Sequence, residues 1–228
     1  PLSELLPVPY TATPLYVPMK GSPLTSDIYR GVKLAYDKGD WDEVIRSLRE
    51  IIKLEAQDAD AYYYHGEAYR FKGDFPSAIN AYELALGVNP NYGPAYLGIA
   101  RARLGINPNG NVMSFLDEGI RLDPNLGEAY LERARVKMRE NDISGALADL
   151  SEADRRMPNS PLVYFQLAQA RVKEGDLDLA LSAAKRANEL DVTNLPTYLL
   201  LGQIYAAQGN AEEAIKTLDF YLKYRPED

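Results

Sequence analysis

The 228 residues carry 25 Lys and Arg against 33 Asp and Glu, a formal charge of −8. That acidity opposes the attraction to phosphate on which most nucleic-acid binding rests. No cysteine is present, which excludes disulfides, thiolate metal sites and a cysteine nucleophile while fitting either the cytosol or an exported location.

The chain opens with a segment unlike the rest. Across residues 1–24, Pro1, Pro7, Pro9, Pro14, Pro18 and Pro23 stand among Leu, Val, Tyr and Thr with almost no charge. This composition predicts an extended, polyproline-like arm rather than a folded unit. One reading is a linker between the remainder of the chain and an anchor or another domain. The other is a docking peptide, because Leu5, Leu6, Val8, Tyr10, Leu15, Tyr16, Val17 and Met19 are unusually apolar for a solvated spacer. A first residue that is Pro rather than Met suggests a processed product. The compartment stays open between the cytoplasm and an exported domain behind a removed anchor. No apolar run reaches the roughly 18–20 residues that a membrane span needs.

From Thr25 a 34-residue pattern recurs six times without insertion, over 25–58, 59–92, 93–126, 127–160, 161–194 and 195–228. Place 4 reads Ile28, Tyr62, Tyr96, Tyr130, Tyr164 and Tyr198; place 20 reads Val44, Ala78, Val112, Ala146, Ala180 and Ala214. In the second repeat Ala61, Tyr64, Ala68 and Phe71 fall three or four apart, as do Ala78, Tyr82, Ala85 and Leu86, the helical period twice over. Between them Gly73 and Asp74 predict a break, since Gly tolerates a left-handed backbone and Asp caps the next helix. Pro90, Pro124, Pro158 and Pro226 close their repeats at place 32. No stretch alternates with period two, so the expected fold is all-α.

The second repeat (Tyr62, Gly66, Ala68, Tyr69, Gly73, Asp74, Phe75, Ala78, Tyr82, Ala85, Pro90) and the sixth (Gly202, Tyr205, Gly209, Asn210, Ala214, Pro226) resemble the tetratricopeptide repeat. The resemblance covers 25–228 and implies a right-handed superhelical solenoid of six helix-turn-helix hairpins behind the Pro-rich arm. The third repeat departs from it. Its turn is Asn107-Pro108-Asn109-Gly110-Asn111, and Gly119 stands where the family has Ala.

The same resemblance implies a noncatalytic protein-interaction scaffold that takes a peptide or extended protein segment in a concave groove lined by the first helix of each hairpin, helix A. Carried over by position, the groove residues are Tyr29, Lys33, Tyr63, Tyr64, Arg70 and Phe71, then Arg101, Arg135 and Arg139, then Phe165, Gln169 and Lys173. The wall runs from aromatic through basic to amide and apolar, and Tyr and Arg are the side chains that most often dominate binding energy once desolvated. In the A helices of repeats 3 to 5, eight cations face four acids, a strip suited to a carboxylate or acidic peptide. A Pro-rich ligand suits the aromatic end. Arg103, Lys137 and Arg171 share place 11 and also read as structural partners of Asp117, Glu152 or Asp154. The family's clamp for chaperone tails needs Lys, Asn, Asn, Lys and Arg over three helices, and no triplet here supplies them.

No catalytic constellation emerges. His65 occupies place 7, where the family packs Leu, and reads as a packed histidine. Glu212 and Glu213 lie at a solvated helix start, and no Gly-rich phosphate loop occurs, so no cofactor or metal is expected. Two other readings stand beside the scaffold. One is a self-assembling structural module, associating through the arm or through the last repeat, whose Ile215, Phe220, Leu222 and Tyr224 include positions that pack on a following helix. The other is an auxiliary interaction domain of a larger enzyme.

Overall fold

The structure, a computed structural model, describes residue 19 and residues 21–225. The expectations for Pro1 to Pro18 lie outside the described residues, as does Pro226. Among the described residues twelve helices and no strand occur, paired as six hairpins. In chain order these are α1 (Ser26–Asp37) with α2 (Trp41–Leu54), α3 (Ala59–Phe71) with α4 (Phe75–Val88), and α5 (Gly93–Ile106) with α6 (Met113–Leu122). There follow α7 (Gly127–Arg139) with α8 (Ile143–Arg156), α9 (Pro161–Glu174) with α10 (Leu177–Leu190), and α11 (Leu195–Ala207) with α12 (Ala211–Tyr224). They divide into two compact units at the Ala129–Tyr130 bond within α7.

The turn inside each hairpin explains its boundaries. Place 15 takes a left-handed backbone at Gly39 (φ 71°), Gly73 (79°), Gly175 (92°) and Gly209 (78°), and Asn141 substitutes at 65°. The next residue caps the second helix: Asp40, Asp74, Asp142 and Asp176 each accept from the amide three residues on. The third repeat lacks both devices. Its Asn107 is extended (φ −136°), the chain runs through a longer turn to Val112, and α6 keeps only 10 residues where the other second helices have 14.

Small residues then set the approach of the paired helices. Ala100, Ala134 and Ala168 at place 8, and Ala78, Ala146 and Ala180 at place 20, are fully buried. A methyl group on Gly66 would fall 2.5 Å from the Tyr82 ring, and one on Gly98 would fall 2.6 Å from it. The ring is therefore wedged between α3 and α5, with glycine the only residue that fits on either side. Within the first unit α2 also packs on α3 and α4 on α5; within the second α8 packs on α9 and α10 on α11.

Place-4 tyrosines of the second unit lie against their partner helices. The guanidinium of Arg156 sits 4.3 Å from the Tyr130 ring centre, and Phe220 lies 4.4 Å from Tyr198. The place-11 cations are structural in part, with other partners than expected. Lys137 Nζ is 2.7 Å from Asp149, which also takes a two-pronged bond from Arg133, so the acid on α8 is Asp149 rather than Glu152 or Asp154. Arg103 covers the Phe115 ring at 4.4 Å, and Arg171 pairs with Glu174 on its own helix.

His65 Nε2 is buried without a hydrogen-bond partner among the described residues, its ring 4.7 Å from that of Tyr69. Burial, and then the nearby Arg49 charge, push its pKa from 6.5 down to about 4. As pH falls through 6.5, the unfolded chain takes up a proton that the folded chain refuses until about 4, so stability drops across that window. His65→Leu is expected to flatten this part of the pH profile, read as the difference between variant and parent in urea midpoints at pH 7 and pH 5. Equal pH slopes in the two proteins would show that His65 is solvated.

Candidate peptide-binding face

In the first unit, the helix-A face is built around a buried carboxylate. Glu67 on α3 is 1% exposed. It accepts from Arg70 Nε at 3.0 Å and from Arg70 Nη2 at 2.8 Å, and the Tyr82 hydroxyl on α4 donates to it. Burial works to raise the Glu67 pKa, but the Arg70 charge and its hydrogen bonds outweigh burial and hold the carboxyl below its ordinary value; Arg101 and Tyr82 add to this. Arg101, on α5, is itself buried.

Beside this pair stands a cluster of rings. Trp41, the first residue of α2, stacks on Phe71 at 4.6 Å and 11°. Tyr36 meets Trp41, Tyr64 and Phe71 edge-on at 5.1, 5.8 and 6.3 Å. Arg70 lies 4.3 Å above the Phe71 ring, held there by Glu67. Tyr64 is buried, whereas Tyr36, Trp41 and Phe71 remain half-buried. The Tyr36 hydroxyl oxygen is shielded and has no hydrogen-bond partner among the described residues. Burial, then Glu67, raise its pKa, so it stays a neutral donor.

The other residues expected on this face divide by depth. Tyr29 and Tyr63 are buried. The Tyr29 hydroxyl donates to Asp58 at 2.6 Å, and Tyr63 packs between the rings of Tyr64 and Tyr92 at 5.3 and 5.6 Å. Lys33 is exposed, 3.7 Å from Asp37 on its own helix. Trp41 escaped the positional reading because it lies on a second helix rather than a helix A. Its signal was in the chain nonetheless, as the sole tryptophan directly after a Gly-Asp turn.

The second unit offers a different surface. Arg135 Nη1 donates to the nearly buried Glu132 at 2.9 Å, and Arg139 and Lys173 are exposed. Gln169 is half-buried, while Phe165 is buried in a cluster with Ala168, Leu200 and Ile204. No ring cluster comparable to that of the first unit forms among these residues. No group of three His, Cys, Asp or Glu placed to hold a metal occurs among the described residues, and none of their helices is long and apolar enough to cross a membrane.

Family models described as tetratricopeptide repeat match residues 29–94 and 171–228. No curated protein matches the sequence. Among solved structures, the chain is similar to PilW, described as a widely conserved type IV pilus biogenesis factor, at 18% identity and a TM-score of 0.78 over 91% of this chain and 96% of that one. It is similar to PilF of Pseudomonas aeruginosa at 14% identity and a TM-score of 0.77, covering 90% and 93%. YrrB, described as a protein of tetratricopeptide repeats with an unusual peptide-binding site, aligns at 22% identity and a TM-score of 0.60, covering 79% and 93%. At these identities the likeness concerns the fold alone.

Depth decides what charge reversal reports. Arg101→Glu sets a carboxylate beside the buried Glu67 and is expected to destabilise the chain by about 3–5 kcal/mol, the loss typical of an uncompensated buried charge. Arg139→Glu, at an exposed position, is expected to stay within about 0.5 kcal/mol. Urea unfolding followed by circular dichroism compares the two. Similar midpoints would place the Arg101 guanidinium in solvent.

Proposed function

Because the chain belongs to the tetratricopeptide-repeat family, we propose that it is a noncatalytic interaction scaffold that seats an extended peptide or protein segment on the helix-A face of its first three hairpins. The observation that carries this reading is the half-buried ring cluster of Tyr36, Trp41 and Phe71 with Arg70 fixed above it. Rings and a guanidinium held by a buried carboxylate lose little freedom when a ligand arrives, and such pre-set anchors concentrate binding energy. Lys33, Arg70 and Phe71 are the contacts in this reading, with Tyr29, Tyr63, Tyr64 and Arg101 as the wall behind them. In the second unit Arg135, Arg139, Gln169 and Lys173 are the candidate contacts, with Phe165 buried behind them in the reading.

A display library of linear peptides, selected on the full chain, tests the reading. Selected peptides are expected to change the emission of Trp41 and to lose at least ten-fold in affinity, about 1.4 kcal/mol, against Phe71→Ala or Lys33→Glu chains of unchanged helicity. Peptides that bind both variants as tightly as the parent would place the site elsewhere.

Self-association is a second reading with its own observation. Ile215, Phe220, Leu222 and Tyr224 on α12 are all exposed, with the Tyr198, Phe220 and Tyr224 rings in file at 4.4 and 5.3 Å. Light scattering is expected to show mass rising with concentration, and Leu222→Glu to suppress the rise. A constant monomer mass in the parent chain rules this contact out.

A further inference from the structure

We infer that α12 is the contact face of a homodimer in which two copies lay this helix antiparallel along each other about a two-fold axis. The pairing rests on the self-association reading and fixes the helix, the seam and the direction of its contact.

The first observation is a seam left bare. Ile215, Leu218 and Leu222 stand three and four residues apart on α12, so they line one side of the helix. The same places of earlier repeats are covered. Ile45 at place 21 is 7% exposed, while Ile79 and Leu181 at place 21, with Ile52 and Leu86 at place 28, are half-buried against their cores. There the second helix of a hairpin lies against the next hairpin, α2 on α3, α4 on α5 and α10 on α11. On α12, by contrast, Ile215 and Leu222 are 61% and 41% exposed, and Leu218 is half-buried against Gly202. A side that elsewhere in this chain takes a helix has none on it among the described residues.

The second observation says which helix fits. Beside the seam runs the row Glu212, Lys216, Asp219 and Lys223, each one residue past a position of the stripe Ala211, Ile215, Leu218 and Leu222. The signs alternate, so the row read backwards is its own complement. In an antiparallel pair Glu212 meets Lys223 of the partner subunit, and Lys216 meets Asp219 of the partner subunit. Both charge pairs are centred within one residue of the midpoint between Ile215 and Leu222. One register therefore closes the apolar seam and satisfies all four charges. A parallel arrangement sets the two rows on opposite sides of the contact, where no such pairing arises. Within its own helix the row makes one ion pair among the described residues, Lys216 to Glu213 at 3.9 Å, with the lysine 77% exposed. Such a pair is weak and readily exchanged. Phe220 and Tyr224 lie about 140° and 180° round the helix from Ile215, on the side of Tyr198, and stay outside the seam. A contact one helix wide and about 21 Å long, at roughly 1.5 Å per residue, makes a small and reversible interface.

The chain has no cysteine, so introduced thiols report this geometry without background. Ala211→Cys and Arg225→Cys occupy exposed positions at the two ends of α12, outside the charge row. They are treated with a short bis-maleimide in the full chain, at concentrations where light scattering detects dimer. The antiparallel pair brings position 211 of one copy to position 225 of the other and holds the two 211 positions about 21 Å apart. A mixture of the two variants is therefore expected to crosslink several-fold more than either variant alone. Lys216→Glu is expected to weaken the dimer about five-fold, and Asp219→Lys in the same chain to restore it, because the exchanged row is again its own complement. If mass rises with concentration but the mixture crosslinks no better than the single variants, or Asp219→Lys restores nothing, the antiparallel pairing is overturned and self-association runs through another contact. A constant monomer mass refutes both.

Discussion

Two helices approach only as closely as the residues at their crossing permit, and here the 34-residue register fixes those residues. Alanine, glycine or valine recurs at places 8 and 20, and the described examples are buried without exception. The hairpin can therefore close to a distance that one larger side chain would prevent. Tyr82 exploits the same economy of volume. Its ring enters between Gly66 and Gly98, a gap that exists only because neither residue has a side chain. The hydroxyl at the far end of that ring then reaches Glu67, so a packing constraint between three helices delivers a hydrogen-bond donor to the helix-A face.

The buried ion pair turns packing into an oriented surface. An isolated carboxylate at that depth would be neutralised or excluded. With Arg70 bound through two nitrogens and Tyr82 donating, Glu67 stays charged, and the pair is costly to break from either side. Glu67 and Arg70 stand three residues apart on α3, the spacing that brings side chains together on one helical face. The guanidinium so fixed has its remaining surface over Phe71, and Phe71 in turn lies flat on Trp41. Rigidity passes outward from a buried acid to a half-buried ring.

Residue type and spacing made the hairpins legible. Left-handed glycines, aspartate caps and small crossing residues act locally, so each can be read from a few neighbouring positions, and even the altered third repeat announced itself through its missing Gly-Asp turn. The candidate face was legible in direction but not in depth. Spacing puts Tyr29, Tyr63 and Phe71 on one side of their helices; that the first two are buried while Phe71 keeps exposed surface depends on neighbours tens of residues away. Charge partners failed for a similar reason. Lys137 was expected to meet an acid on the second helix, and it does, but helix crossing geometry selected Asp149, which precedes Glu152 and Asp154 on α8. Trp41 was missed because the ring arrives from α2 and joins the face across the turn.

Depth also redistributes the chemistry of the expected groove. The buried Tyr29 and the half-buried Tyr92 tie neighbouring helices together through Asp58 and Asp60, and the buried Tyr63 is enclosed edge-on by the rings of Tyr64 and Tyr92. What stays accessible on this side of the first unit is three half-buried rings, a fixed guanidinium and an exposed lysine, while the Tyr36 hydroxyl is shielded. Two of the arginines expected on this face, Arg70 and Arg101, already act on the buried Glu67. The basic strip suggested by charge counting is thus partly consumed inside the protein, with Arg101 buried and Arg135 donating to Glu132.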